Sequence, residues 1–189
     1  MAIVLQFDSV RLRSELSDLP PRLRGAFAAL CARRLARAPD ILETGAESRA
    51  FAELHAQLWA AVTDTRSRPE DTAAAAERAL SLIPEDDHDA LAALTYALRA
   101  ASGGDPKDAA WAAERVYNAL DAFLQDQGFE VGSPDAEAAI LGHPLVQAEL
   151  QRQADDLVAL RAIHASEVPP ATFESLRDRA DAAARHIFG

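Results

Sequence analysis

From about Asp8 onward the chain is a series of amphipathic helical patterns separated by prolines and glycines, and this constrains the fold more than any other feature. The positions Leu23, Phe27, Leu30, Cys31 and Leu35 follow the i, i+4, i+7, i+8 spacing of one buried helix face. Phe51, Leu54, His55, Leu58 and Val62 do the same further on. Alanine makes up roughly a quarter of the chain, and it has the highest helix propensity because its side chain loses no entropy. β-branched residues are sparse, so strands have little material.

The boundary signals divide these patterns into seven or eight helices. A first short helix is expected over Asp8–Leu19, closed by Pro20-Pro21, which also open the second. Pro39 stops the second helix, because the residue before a proline is disfavoured in helical conformation. A third starts near Ala46. A fourth runs from about Glu70 to Ile83 on a run of alanines. A fifth follows Pro84 and carries Leu91, Leu94, Leu98 and Ala101. Asp105-Pro106 is a strong start signal for a sixth, with aspartate as N-cap and proline in the first turn. It is expected to end near Gln127, capped by Gly128. Residues 128–143 read as an internal linker with a short helix after Ser133-Pro134. A long helix is expected from Pro144 to about Glu167, with Val146, Leu150, Gln153, Leu157, Leu160 and His164 on its inner face. A last helix follows Pro169-Pro170. Short connections favour antiparallel neighbours, so the expected fold is an all-α, single-domain, mostly up-and-down bundle, with residues 1–7 as an N-terminal arm.

The net charge is −11, which argues against general nucleic-acid binding because that needs a basic face. The charge is uneven. Residues 1–38 hold seven arginines and a net +4, and the rest of the chain carries −15. Basic helices packed on an acidic body would account for this within one chain. In a homo-oligomer, one chain's basic helices would meet another's acidic body. An acidic surface exposed to a basic protein partner is the third arrangement, with Glu85, Asp86, Asp87, Asp89, Asp155 and Asp156 as its candidate residues. The single cysteine, Cys31, excludes an internal disulfide and suits a reducing cytoplasm. No apolar run approaches the length of a membrane span, and Ile3-Val4-Leu5 is too short for a signal peptide.

Chemistry-bearing motifs are few. A di-metal carboxylate bundle needs two Glu-x-x-His pairs, and the chain offers one, Glu85 to His88. Gly103-Gly104 lacks the lysine and the preceding strand of a phosphate loop. No nucleophile elbow occurs, and no cofactor motif. Three polar residues stand on apolar stripes: His55, Gln153 and His164. Buried polar groups must find partners, so these either form an interhelical network or line a small ligand pocket. Glu149 and Asp156 are the acids from which a dispersed catalytic site would be assembled. Trp59 and Trp111 lie just off the inner stripes.

Three stretches carry a family resemblance. They are Ala26-Phe27-Ala28-Ala29-Leu30-Cys31-Ala32-Arg33-Arg34-Leu35, Glu77-Arg78-Ala79-Leu80-Ser81-Leu82-Ile83-Pro84, and His143-Pro144-Leu145-Val146-Gln147-Ala148-Glu149 with Leu150 and Gln153. In this order and spacing the chain resembles the YjaG-like bacterial family, known as domain of unknown function 416. The resemblance covers roughly residues 10–165. It implies a wholly helical cytoplasmic protein with no assigned reaction and no catalytic residues to carry over. The reading that follows is a non-catalytic interaction module with an acidic surface, of antidote or regulatory type. A small-ligand-binding bundle is the alternative, and an enzyme with a dispersed site comes third.

Overall fold

The computed structural model describes residues 4–38, 45–64, 67–83, 88–129, 132–165 and 171–189. These form nine helices: α1 (Ser9–Ser17), α2 (Pro21–Arg34), α3 (Gly45–Thr63), α4 (Pro69–Leu80), α5 (Asp89–Ala101), α6 (Pro106–Asp126), α7 (Pro134–Leu141), α8 (Pro144–Ala165) and α9 (Ala171–Phe188). The fold is an all-α, single-domain bundle, as the periodicity predicts. The short helix expected after Ser133-Pro134 is α7, whose N-cap Ser133 accepts the N–H of Ala136.

Local chemistry sets the ends. Asp8 and Asp105 cap α1 and α6 through their carboxylates, and proline occupies the first turn of α2, α4, α6 and α7. Gly128 closes α6 at φ +94°, a conformation that costs a residue with a Cβ far more. Its N–H bonds the Gln125 carbonyl at 2.9 Å, and the Phe129 N–H reaches the Leu124 carbonyl at 3.2 Å. That reciprocal pattern satisfies carbonyls the helix would otherwise leave open.

Two helices form the centre. α2 packs against α3, α5, α6, α8 and α9, and α5 packs against α2, α3, α4 and α6. Ala26 to Ala32 are fully buried without a break, so the middle of α2 is apolar on all sides rather than on one stripe. Gly25 makes the approach to α5 close. A Cβ there would lie 2.6 Å from both the Cα and Cβ of Ala101. Around this pair, sequential helices pack on one another: α3 on α4, α4 on α5, α5 on α6, and α7 on α8.

The basic N-terminal helices pair with the acidic body of their own chain. Arg13 reaches Asp105 at 3.5 Å, Arg33 binds Asp181, and Arg34 binds Glu149 and Asp156. Arg22 donates to the Val62 and Thr63 carbonyls at 2.6 and 2.9 Å, closing the end of α3. Among the described residues no helix is long and apolar enough to cross a membrane.

Candidate functional site

Helix α8 carries the polar residues of the core. Its buried face reads Val146, Glu149, Leu150, Gln153, Asp156, Leu157 and Leu160, so two carboxylates and an amide stand in an otherwise apolar stripe. Helical spacing puts Glu149, Gln153 and Asp156 on one side, facing α2. There they meet Arg34, whose side chain is 2% exposed. Arg34 donates to Glu149 Oε1 at 3.1 Å and to Asp156 Oδ2, and its guanidinium lies 3.6 Å from the Cys31 sulfur. The Gln153 amide donates to Glu149 Oε1 at 3.1 Å and to the Ala113 carbonyl at 3.4 Å, joining α6 to the cluster.

Burial and pairing compete here. Burial pushes the Glu149 and Asp156 carboxyls up from their ordinary range, and the Arg34 charge opposes it. Burial works against the Arg34 charge, but the two carboxylates outweigh it and hold the guanidinium charged. The Cys31 thiol is pushed well above its ordinary value by burial. A thiol in that state is a small apolar group, not a nucleophile. The buried triad carries one more carboxylate than cation. Arg152, 3.7 Å from Glu149 Oε2, and Arg179, 3.5 Å from Asp156 Oδ1, compensate from its rim.

Above the cluster lies the N-terminal segment. Gln147 holds it as one peptide group holds another: the Leu5 N–H donates to Oε1 at 2.8 Å, and Nε2 donates to the Leu5 carbonyl at 2.9 Å. Phe7 stacks on Tyr117 at 5.6 Å. Grooves flank this segment on two sides. One, of about 410 Å³, is walled by Leu5, Leu12, Leu150, Gln153 and Leu157. The other, of about 310 Å³, is lined by Phe7, Glu114, Tyr117, Asn118 and Leu141.

The second groove carries one carboxylate, Glu114, and its Tyr117 lies near two more. Burial raises the Tyr117 hydroxyl pKa, and the nearby charges of Asp121 on α6 and Glu137 on α7 raise it further. Asp126, Asp135 and Glu137 are exposed, and Glu114 and Asp121 half-buried. No lysine or arginine occurs between Val116 and Gln151. The nearest arginine on α6, Arg115, is committed to Asp89 at 3.3 Å.

The residues singled out by sequence separate into different settings. His55 is buried, stacked between Phe51 and Trp59, with Nε2 3.1 Å from the Ala29 carbonyl. Burial lowers its pKa to about 4, so it is neutral and ties α3 to α2. Gln153 belongs to the buried cluster and also reaches a groove wall. His164 is exposed, contrary to its expected place on the inner stripe. From Arg161 onward α8 is exposed except for half-buried Ile163, so the last turn of that stripe meets solvent. Asp156 is likewise not a surface acid: it is 4% exposed and bound to Arg34. Asp155 is exposed and accepts from Gln151 at 2.9 Å. Asp89 is half-buried and paired with Arg115. Glu85, Asp86 and Asp87 lie outside the described residues. Trp59 is buried, and Trp111 is 37% exposed with Lys107 over its ring. Arg34 is the residue that sequence reasoning missed, because Arg33-Arg34 at a helix end reads as a solvated basic pair.

No protein-family model matches the chain, and no curated protein matches it. Among solved structures, a DUF416 family protein from Shewanella baltica OS155 superposes with a TM-score of 0.68 at 16% identity. The match covers 89% of this chain and 92% of that one. At this identity the likeness concerns the backbone arrangement, and it spans nearly all of both chains. The chain therefore has the fold of a DUF416 family protein.

Proposed function

We propose that this protein is a non-catalytic interaction module that takes a basic protein partner on the acidic face of α6 and α7, in the manner of an antidote or a regulator. One observation carries the reading: Asp121 and Glu137 lie near Tyr117, and with Asp126 and Asp135 they belong to a stretch that has no lysine or arginine from Val116 to Gln151. Such a face steers a cationic partner and disfavours wrong ones. Tyr117 and Phe7 supply rigid aromatic surface of the kind on which binding energy concentrates. Placement in the YjaG-like group is part of this proposal. What supports it is the fold shared with a DUF416 family protein, together with the three resembling stretches.

The test is capture from the native cell with the full chain and with the variant Asp121→Asn, Asp126→Asn, Asp135→Asn, Glu137→Gln, at low and high salt. A stoichiometric basic protein retained by the native chain at low salt and lost by the variant is the expected result. A partner retained equally by both chains, with no salt dependence, would sink the electrostatic reading. A retained metabolite with no protein would favour the second reading, ligand binding in the 410 Å³ groove that Gln153 helps to wall.

A further inference from the structure

A separate pocket of about 190 Å³ lies where the ends of α2 and α9 meet the first turns of α3, and arginines dominate its lining: Arg33, Arg37 and Arg185, with Ser48, Phe51 and Asp181. Among the described lining residues, three guanidinium groups against one carboxylate leave a formal +2 on a chain whose net charge is −11. Elsewhere arginines such as Arg13, Arg34, Arg115 and Arg161 each face a carboxylate. Here Arg33 spends its Nε on Asp181, which leaves its terminal amino groups without a protein acceptor among the described residues. Arg37 and Arg185 are exposed, and no carboxylate among the described residues pairs with either.

We propose that this pocket binds a phosphate group, free or carried by a small monoester. Guanidinium forks match the oxygens of a tetrahedral anion and donate two hydrogen bonds each, which an ammonium cannot do in the same plane. The Ser48 hydroxyl adds a donor from the first turn of α3, the end of a helix that favours negative charge. Arg33 and Arg185 stand in the last turns of α2 and α9, where helix dipoles favour cations, so the charges can be held in place without a carboxylate for each. The volume decides the ligand's size. At about 190 Å³ the pocket is smaller than sites for drug-sized molecules and suits a phosphate with few further atoms. Asp181 fixes Arg33 and would repel an anion that approached from its own side, which leaves Arg37 and Arg185 to receive it. The proposal is independent of the acidic face on α6 and α7.

The experiment is titration of the full chain with inorganic phosphate at constant ionic strength, chloride replacing phosphate in the control, read by calorimetry and by thermal midpoint. Saturable binding that raises the midpoint is expected. The double variant Arg37→Ala, Arg185→Ala should shift its phosphate-free midpoint by no more than about 2–4 °C, because both side chains are exposed and only the helix-end benefit of Arg185 is lost. Its affinity should fall about tenfold or more, the loss expected when charge-assisted hydrogen bonds are removed. Arg68→Ala, exposed and outside the pocket, should bind as the native chain does. A native chain indifferent to phosphate, or a double variant that binds equally well, would overturn the proposal. A parallel titration with phenyl phosphate identifies the source: tighter binding indicates a monoester, weaker binding the free anion.

Discussion

Arg34 and Glu149 stand 115 residues apart in sequence and 3.1 Å apart in space, and both are sealed from solvent. Removing one member of such a group strands the others. Arg34→Met should cost about 3–5 kcal/mol, because Glu149 and Asp156 would remain buried without their cation. Glu149→Gln should cost less, since Asp156 still neutralises Arg34. Replacing Arg34, Glu149 and Asp156 together by apolar residues should recover most of the loss. Chemical denaturation of the three variants checks the order, and a triple variant as unstable as Arg34→Met would contradict it.

His55 makes stability depend on pH. Its folded pKa is lowered by burial to about 4, against an ordinary 6.5. Between those values the unfolded chain binds the extra proton, so falling pH favours unfolding. The contribution is complete above pH 6.5, declines as pH drops, and is gone below about pH 4. It amounts to about 3 kcal/mol over that span. His55→Leu should flatten this slope relative to the native chain, and it should lose about 1–3 kcal/mol at neutral pH because the Ala29 carbonyl loses its donor. Denaturant midpoints measured along a pH series give both quantities, and parallel slopes for the two chains would refute the assignment.

Gly25→Ala should destabilise the bundle by about 1–3 kcal/mol, the usual penalty for overpacking. Alanine gains up to about 1 kcal/mol in helix propensity, which does not offset a Cβ placed 2.6 Å from the Ala101 backbone. Adding Ala101→Gly should recover only part of the loss, because the backbone at position 101 still stands where the new methyl must go. Full recovery would mean that α2 and α5 can separate more easily than their packing suggests.

Gln147→Ala should release the arm at residues 4–8 while sparing the core. Both hydrogen bonds to Leu5 go, at about 1 kcal/mol net each. Hydrogen exchange at the Leu5 amide should accelerate, with Leu30 and Leu94 unchanged. An unchanged Leu5 rate would show that the Phe7–Tyr117 stack holds the arm alone.

The helices were legible because their signals are local. Asp105-Pro106 and Gly128 act within one turn, and the stripe Leu23–Leu35 needs only a 3.6-residue period. The helix end expected at Ile83 falls instead at Leu80, where local pattern alone does not say when packing stops, and the end expected near Glu167 lies outside the described residues. The polar cluster was half legible. Glu149, Gln153 and Asp156 at i, i+4 and i+7 on an apolar stripe were a readable sign that a cation faces them. Nothing near Arg34 identified it as that cation, since its partners come from a distant helix. Asp156 beside Asp155 read as surface charge, and only the rotation of α8 separates the two. The pocket at Arg33, Arg37 and Arg185 joins residues from both ends of the chain, and no spacing rule reaches that far.

The central position of α2 also bears on how the protein is made. Ribosomes add about 5–20 residues per second. Arg34 is therefore synthesised on the order of ten seconds before Glu149 emerges to meet it. Through that interval the central helix of the fold lacks α8 and α9, and its terminal arginine stays hydrated. Nascent chains stalled before residue 149 should for that reason engage holding chaperones, and chains released with α8 and α9 complete should not.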